Sequence, residues 1–260
     1  MWHGVAMDLE LTGRRALVTG ASKGIGLACA DALAAEGCHL DLASRTEADL
    51  EAAAADLRER HGVDVDVHPV DLSSPDDQVA LVESLDTVDI VVNNAGAIPA
   101  GDLASIGDDE LRRSWELKVF GYINLCRLLL PRLVEQGSGV IVNVIGAAAI
   151  RPQPGYIAGG AGNAALGALT QALGSRSLRD GVRVVGVHPG LIVTDRLTDL
   201  LRTGAEERFG DADRWEELVP TDPAPGSPEQ VADVVAFLAS PRASHVSGVT
   251  LAVDGGATSR

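Results

Sequence analysis

Apolar runs and amphipathic stretches alternate along this chain almost without a break. Arg15 to Thr19 is an apolar run ending in a glycine turn, and Gly24 to Glu36 has helical spacing closed by Gly37. Cys38 to Ala43 and Val63 to Val70 read as the second and third strands, separated by the Ala/Glu/Arg-rich helix Glu47 to His61. A helix over Pro75 to Ser84 leads to a buried strand at Val88 to Val92. One long helix is predicted over about Asp109 to Glu135, followed by a strand at Gly139 to Ile145. A helix from about Ala158 to Leu178 precedes the strand Val182 to Val187. Pro228 to Ala239, with Ser227 as its N-cap, is the last helix, and Val249 to Val253 the last strand.

Strands alternating with helices give a parallel sheet covered on both faces. The expected fold is therefore α/β: a single-domain, Rossmann-like, doubly wound parallel sheet. Right-handed crossovers then put the ligand crevice at the carboxyl ends of the strands. Thr194 to Ser227 breaks the alternation, being polar with Pro and Gly gathered towards its end. We read it as a lid over that crevice.

Composition narrows the function. With 46% hydrophobic residues the chain is not disordered, and no apolar run approaches the roughly 20 residues of a membrane span. Met1 to Gly13 has no continuous apolar leader segment, so a cytoplasmic location is expected. A net charge of −16 argues against nucleic acid or anionic membranes as partners. Cys29, Cys38 and Cys126 lack metal spacing and read as reduced, buried thiols, so no metal is expected. Only two of the 21 basic residues are lysines, Lys23 and Lys118, and the only tyrosines are Tyr122 and Tyr156. In a chain that otherwise uses arginine, a lysine is informative.

After the first strand comes Thr19-Gly20-Ala21-Ser22-Lys23-Gly24-Ile25-Gly26. Gly20 permits a tight turn, Gly24 lets the backbone approach a pyrophosphate, and Gly26 allows close packing of helix on sheet. The helix that follows offers free N–H groups and the positive end of its dipole.

This loop, with Asp71-Leu72, Asn93-Asn94-Ala95-Gly96, Pro189-Gly190 with Thr194, and Val253-Asp254-Gly255-Gly256, resembles the short-chain dehydrogenase/reductase family over essentially the whole chain. The resemblance implies a nicotinamide dinucleotide, with Asp71 and Leu72 flanking the adenine and Asn94, Ala95 and Gly96 lining the cofactor. It implies that Ile192 and Thr194 meet the nicotinamide carboxamide. It also implies a small-molecule substrate and a homotetramer, or second a dimer, built on the long helices and the C-terminal strand. Between cofactors, charge decides. NAD preference needs a carboxylate at the end of the second strand, but that stretch is Leu42-Ala43-Ser44-Arg45. Arg45 and the nearby Lys23 suit a 2′-phosphate, so NADP is expected, with NAD as second choice.

At the catalytic end the chain departs from the family's pattern of a Ser, then Tyr-x-x-x-Lys on a helix, and an Asn on the preceding long helix. Ala164-Ala165-Leu166 aligns Asn163 with the Lys and Gly159 with the Tyr. Gly146 stands for the Ser, and Lys118 for the Asn. Lys and Asn thus look exchanged. Tyr156, one turn upstream of the vacated position, is the nearest phenol, and Gly159 and Gly160 leave room for its ring. The expectation is a carbonyl/alcohol oxidoreductase with Tyr156 as proton donor and Lys118 as its electrostatic partner. The alternative is a binding or sensing protein of the same fold without hydride transfer. Tyr122 reads as a helix-interface residue, and His188, beside Pro189-Gly190, as a structural histidine that could also take part.

Overall fold

The structure, a computed structural model, describes residues 7–260; the part of the N-terminal reading that falls on residues 1–6 lies outside it. Seven parallel strands form one sheet: β1 (Arg15–Thr19), β2 (His39–Ser44), β3 (Val65–Pro69), β4 (Ile90–Asn93), β5 (Gly139–Val144), β6 (Val182–Pro189) and β7 (Thr250–Val253). Their order is β3-β2-β1-β4-β5-β6-β7. The order reverses between β1 and β4, and there the crevice opens.

Both faces of the sheet are buried, so the central strands read as unbroken apolar runs. On β1, Ala16 and Val18 enter one core while Leu17 enters the other. On β5, Val140 and Val142 oppose Ile141 in the same way. The first core is closed by α1 (Gly24–Ala35), α2 (Glu47–His61) and α8 (Pro228–Ala239) through Leu33, Leu50 and Val235. The second is closed by α3 (Pro75–Ser84) and α5 (Gly121–Gln136) through Leu81, Leu125 and Leu129. All three cysteines are free and buried, and burial pushes their thiols up to about 12.

Three differences from the sequence reading matter for the site. The long helix is two: α4 (Asp108–Trp115) and α5 are joined by a π turn over Glu116–Phe120. One extra residue per turn there changes which way Lys118 points, and hydrophobic spacing does not reveal it. Second, α6 runs over Ile157–Ser177 with Tyr156 as its N-cap. Third, the polar segment after β6 is not irregular. It holds α7 (Asp195–Phe209), N-capped by Thr194 and closed by Gly210 in the left-handed region. A tight helical stretch, Ala212–Leu218, then folds back on α7, with the Arg214 guanidinium 4.2 Å from the Phe209 ring centre. The two ends of this excursion are tied together. Val193 N–H donates to the Gly226 carbonyl at 2.8 Å, and Gly226 N–H donates to the Leu191 carbonyl at 2.9 Å. Among the described residues no helix is long and apolar enough to cross a membrane.

Candidate active site

At the β1 end of the crevice the glycines let chain segments pack closely, chiefly backbone on backbone. Gly20 and Gly24 have φ of +64° and +58°, where L side chains are strained. A Cβ on Gly26 would stand 2.1 Å from the Gly20 carbonyl oxygen and 2.5 Å from Asn94 Nδ2. Asn94 Nδ2 donates to the carbonyls of Thr19 (3.0 Å) and Gly20 (3.3 Å). Thr19 Oγ1 accepts from the N–H groups of Asn94 and Ala95 at 2.9 and 3.1 Å. The carboxyl ends of β1 and β4 are thereby lashed together, with Gly96 next in line.

The first turn of α1 carries no acidic residue, and Lys23 at its N-cap makes no side-chain cap. Its leading N–H groups and dipole are open to an anion. By contrast, α3 is capped by Ser74 and has Asp76 and Asp77 in its first turn. Ser22 and Ser44 share a hydroxyl–hydroxyl bond of 3.2 Å that joins the two loops bearing Lys23 and Arg45. Both cations are exposed, and neither has an ion-pair partner within 4.0 Å among the described residues. Asp71 is held below the usual carboxylate range by hydrogen bonds from Ser73, with a smaller pull from Arg45. Leu72 is buried and accepts from Gln78. At the far side, Gly190 lets the chain pass Asp254, whose Cβ would be 2.8 Å from a Cβ there, while Pro189 pairs with Val253. Ile192 is buried, and Thr194 Cγ2 comes within 3.4 Å of the position of a Cβ on Gly24. The residues expected around a dinucleotide thus converge on one crevice.

At the β5 end the glycines make room for neighbouring side chains instead. A Cβ on Gly159 would be 1.9 Å from Tyr156 Cε1, so the phenol ring occupies the volume a side chain at 159 would take. A Cβ on Gly146, at φ +137°, would be 2.7 Å from Asn163 Nδ2. Asn163 is buried, and its Oδ1 has no hydrogen-bond partner among the described residues. Gly162 admits Val119 and Trp115 of the π-turn region, which is close helix packing. Gly160 and Gly167 meet nothing closer than 3.5 Å.

Tyr156 is fixed by its backbone: the N–H of Gly101 donates to the Gly155 carbonyl (2.7 Å) and the N–H of Ile157 to the Gly101 carbonyl (3.3 Å). Its hydroxyl accepts from Arg196 Nη2 at 3.3 Å. Lys118 does not meet it. The Lys118 ammonium donates to the Tyr122 hydroxyl and the Val144 carbonyl, each at 2.7 Å, and Tyr122 donates to the same carbonyl at 2.9 Å. The lysine stem runs across Gly96, where a Cβ would lie 2.4 Å from Lys118 Cδ. Burial first, and the charge of Arg196 second, bring the amine down to about 7. Burial likewise holds the Tyr122 phenol well above its ordinary range.

The expected partnership of Lys118 with Tyr156 is corrected on this point: the π turn and the i,i+4 spacing to Tyr122 turn the ammonium into the core. His188 is 2% exposed and bonds through Nδ1 to the Gly146 carbonyl at 2.9 Å, bracing the β5–β6 end. Burial lowers its pKa. Arg196 escaped the sequence reading because arginine is this chain's ordinary cation; its nearness to Thr194 was the available signal.

Known proteins match this arrangement over nearly the whole chain. The family model described as Enoyl-(Acyl carrier protein) reductase covers residues 20–258. Dehydrogenase/reductase SDR family member 4 of Caenorhabditis elegans is 30% identical over 253 residues, 95% of this chain and 96% of that protein. Galactitol 2-dehydrogenase (L-tagatose-forming) of Cereibacter sphaeroides is 34% identical over 254 residues, 96% of each chain. The crystal structure of L-sorbose reductase from Gluconobacter frateurii, complexed with NADPH and L-sorbose, superimposes with a TM-score of 0.89. It shares 32% identity over 96% of this chain and 98% of the other.

Proposed function

The chain belongs to the short-chain dehydrogenase/reductase family, and from that premise we propose that it is an NADP(H)-dependent oxidoreductase interconverting a carbonyl and an alcohol on a small molecule. The residues present fit the cofactor. The open N-terminus of α1 and the Oδ1 of Asn163, unpaired among the described residues, each suit a group the protein does not itself supply. Gly20, Ser22, Gly24, Ile25 and Gly26 would hold the pyrophosphate. Lys23, Ser44 and Arg45 would take the 2′-phosphate, with Asp71 and Leu72 at the adenine. Asn94, Ala95 and Gly96 would line the ribose side, with Pro189, Gly190, Ile192 and Thr194 at the nicotinamide. Asn163 Oδ1 would accept from a ribose hydroxyl. When bound, the nicotinamide supplies or accepts the hydride.

The chain's own part is the proton. The family's Ser, Tyr and Lys positions are Gly146, Gly159 and Asn163 here, and the chemistry we propose runs without them. The observation that carries this reading is the Tyr156 ring lying in the space of a side chain at 159. The phenol is thereby delivered from three residues upstream, and its hydroxyl would give a proton to, or take one from, the substrate oxygen. Residues 194–227 would close over the substrate as a lid. Two of the relatives are named for sugars or polyols, so L-sorbose and galactitol head the substrate panel. Turnover of NADPH or NADP+ with any of that panel, at least about 100-fold lower in Tyr156→Phe, tests the proposal.

A second reading, a catalytically silent protein that binds or senses the dinucleotide, draws on the engagement of Lys118 with Tyr122 and Val144. It expects tight NADPH binding with no oxidation by the whole panel. As to assembly, we propose a homotetramer, with a dimer second. Phe237, Val249 and Leu251 leave an exposed apolar strip beside β7, an edge strand. A monomeric mass by light scattering at micromolar concentration would remove both.

A further inference from the structure

The cation expected at Tyr156 is not the one found there. Lys118 faces the core, and an amine brought down to about 7 is largely uncharged above neutral pH. Arg196 differs in both respects. From the first turn of α7 its guanidinium donates to the carbonyls of Gly96 (3.1 Å) and Ile98 (2.6 Å). Nη2 also donates to the Tyr156 hydroxyl at 3.3 Å. A planar fork held on two backbone acceptors has its remaining direction fixed, and a guanidinium keeps its charge at every accessible pH. The charged or titratable groups around this end of the crevice include Arg196 on α7, Lys118 on the π turn, Tyr122 on α5, His188 on β6 behind Gly146, and Asp254 just after β7. Of these, Arg196 alone is hydrogen-bonded to the phenolic oxygen of Tyr156 among the described residues.

We infer that Arg196 is the positioning residue of Tyr156, holding the phenol over Gly159 and keeping a permanent positive charge against its oxygen. The inference rests on Tyr156 being the proton donor. In the reducing direction the Tyr156 O–H bond breaks as the proton passes to the substrate carbonyl oxygen, the carbonyl carbon being reduced by hydride from NADPH. The phenolate then regains a proton from water. Negative charge develops on the phenolic oxygen during that step, and a fixed guanidinium within hydrogen-bond reach stabilises it. Because Arg196 opens the lid helix, its charge reaches Tyr156 only while the base of the lid is seated on Gly96 and Ile98. Lid position and proton transfer are thus coupled through one side chain.

With two tyrosines in the chain, protein labelled with carbon-13 at tyrosine Cζ gives two resonances, and Tyr156→Phe identifies its own by loss. Recorded at one pH with and without NADP+, the Tyr156 resonance is expected to change its chemical shift in Arg196→Met, because the guanidinium donor on its oxygen is lost. Arg196→Lys should return most of that shift, and Lys118→Met should leave it where it was. Arg196 is exposed, so folding does not depend on it. A Tyr156 resonance unmoved by Arg196→Met, or moved as far by Lys118→Met, overturns the assignment. Turnover separates it from the reading beneath it. In the NADPH assay with the active member of the panel, Arg196→Met should lower kcat at least about 10-fold, with KM changing less. An inactive Tyr156→Phe beside a fully active Arg196→Met brings down the role of Arg196 alone. A Tyr156→Phe protein that runs at the parental rate brings down the proton-donor reading and this inference with it.

Discussion

The two ends of the crevice are both rich in glycine, and they use it in opposite ways. At the β1 end the missing side chain at Gly26 leaves backbone beside backbone, and α1 presents bare N–H groups beyond it. At the β5 end the missing side chains at Gly159 and Gly146 are replaced by other side chains, those of Tyr156 and Asn163. The first end is packed backbone on backbone with a helix N-terminus left open; the second is filled by neighbouring side chains. A glycine beside the crevice therefore does not by itself mean a hole. The neighbours decide whether the space is vacant or re-used.

The sharpest way to break this comparison is at Tyr156. Tyr156→Phe is expected to cut turnover by at least about 100-fold while leaving NADPH affinity nearly unchanged, read by steady-state kinetics and fluorescence titration. Gly159→Ala tests the same space from the other side. Its Cβ must displace the ring, and a misplacement of about 1 Å can cost about 100-fold in rate. Helix stability should meanwhile gain by up to about 1 kcal/mol, seen in thermal melts. A Gly159→Ala enzyme with parental turnover would show that the ring is not held where the chemistry needs it.

The next effect belongs to the β1 end. NADPH should bind more tightly than NADH, and Arg45→Ala should narrow that gap by about 1.5–3 kcal/mol in titrations. Equal affinities in the parent protein would remove the 2′-phosphate assignment. The smallest expected change per pH unit concerns Lys118. Its folded value is depressed to about 7, below the ordinary lysine value, so between the two the unfolded chain binds more protons. Stability should therefore rise from pH 7 towards pH 10.5, the ordinary lysine value, and the full penalty should apply below 7. Urea denaturation of parent and Lys118→Met at several pH values checks this: the difference between them should change in the parent's favour as pH rises.

Much of this was legible in the residues. β1 and α3 fall where the pattern put them, because strands buried on both faces and helices with proline at their first turn leave strong local signals. The cofactor loop was legible because its glycines answer to backbone geometry within one turn of chain. The catalytic end was legible only in part. The exchange of Lys and Asn is an expectation from counting along the chain, and the direction of Lys118 depends on a π turn that hydrophobic spacing does not encode. Tyr122, four residues on, was the available hint, since residues at that spacing share a helix face. α7 was missed because it is polar and packs mainly on its own return segment, although Thr194 and Gly210 bracket it as caps. Arg196 meets Gly96, Ile98 and Tyr156 from far along the chain, and no local pattern announces such a contact.

The tie between Leu191, Val193 and Gly226 gives the segment between them the character of an exchangeable cassette. The chain leaves and re-enters the sheet's end at one knot, so whatever lies between pays its closure entropy there, and that cost grows only slowly with length. Segments of other lengths and polarities could be grafted between 194 and 225 without altering the strand register of β6 and β7. On the proposed reading of this segment as a lid, substrate choice would diversify by splicing one loop, with an arginine kept two residues into its first helix.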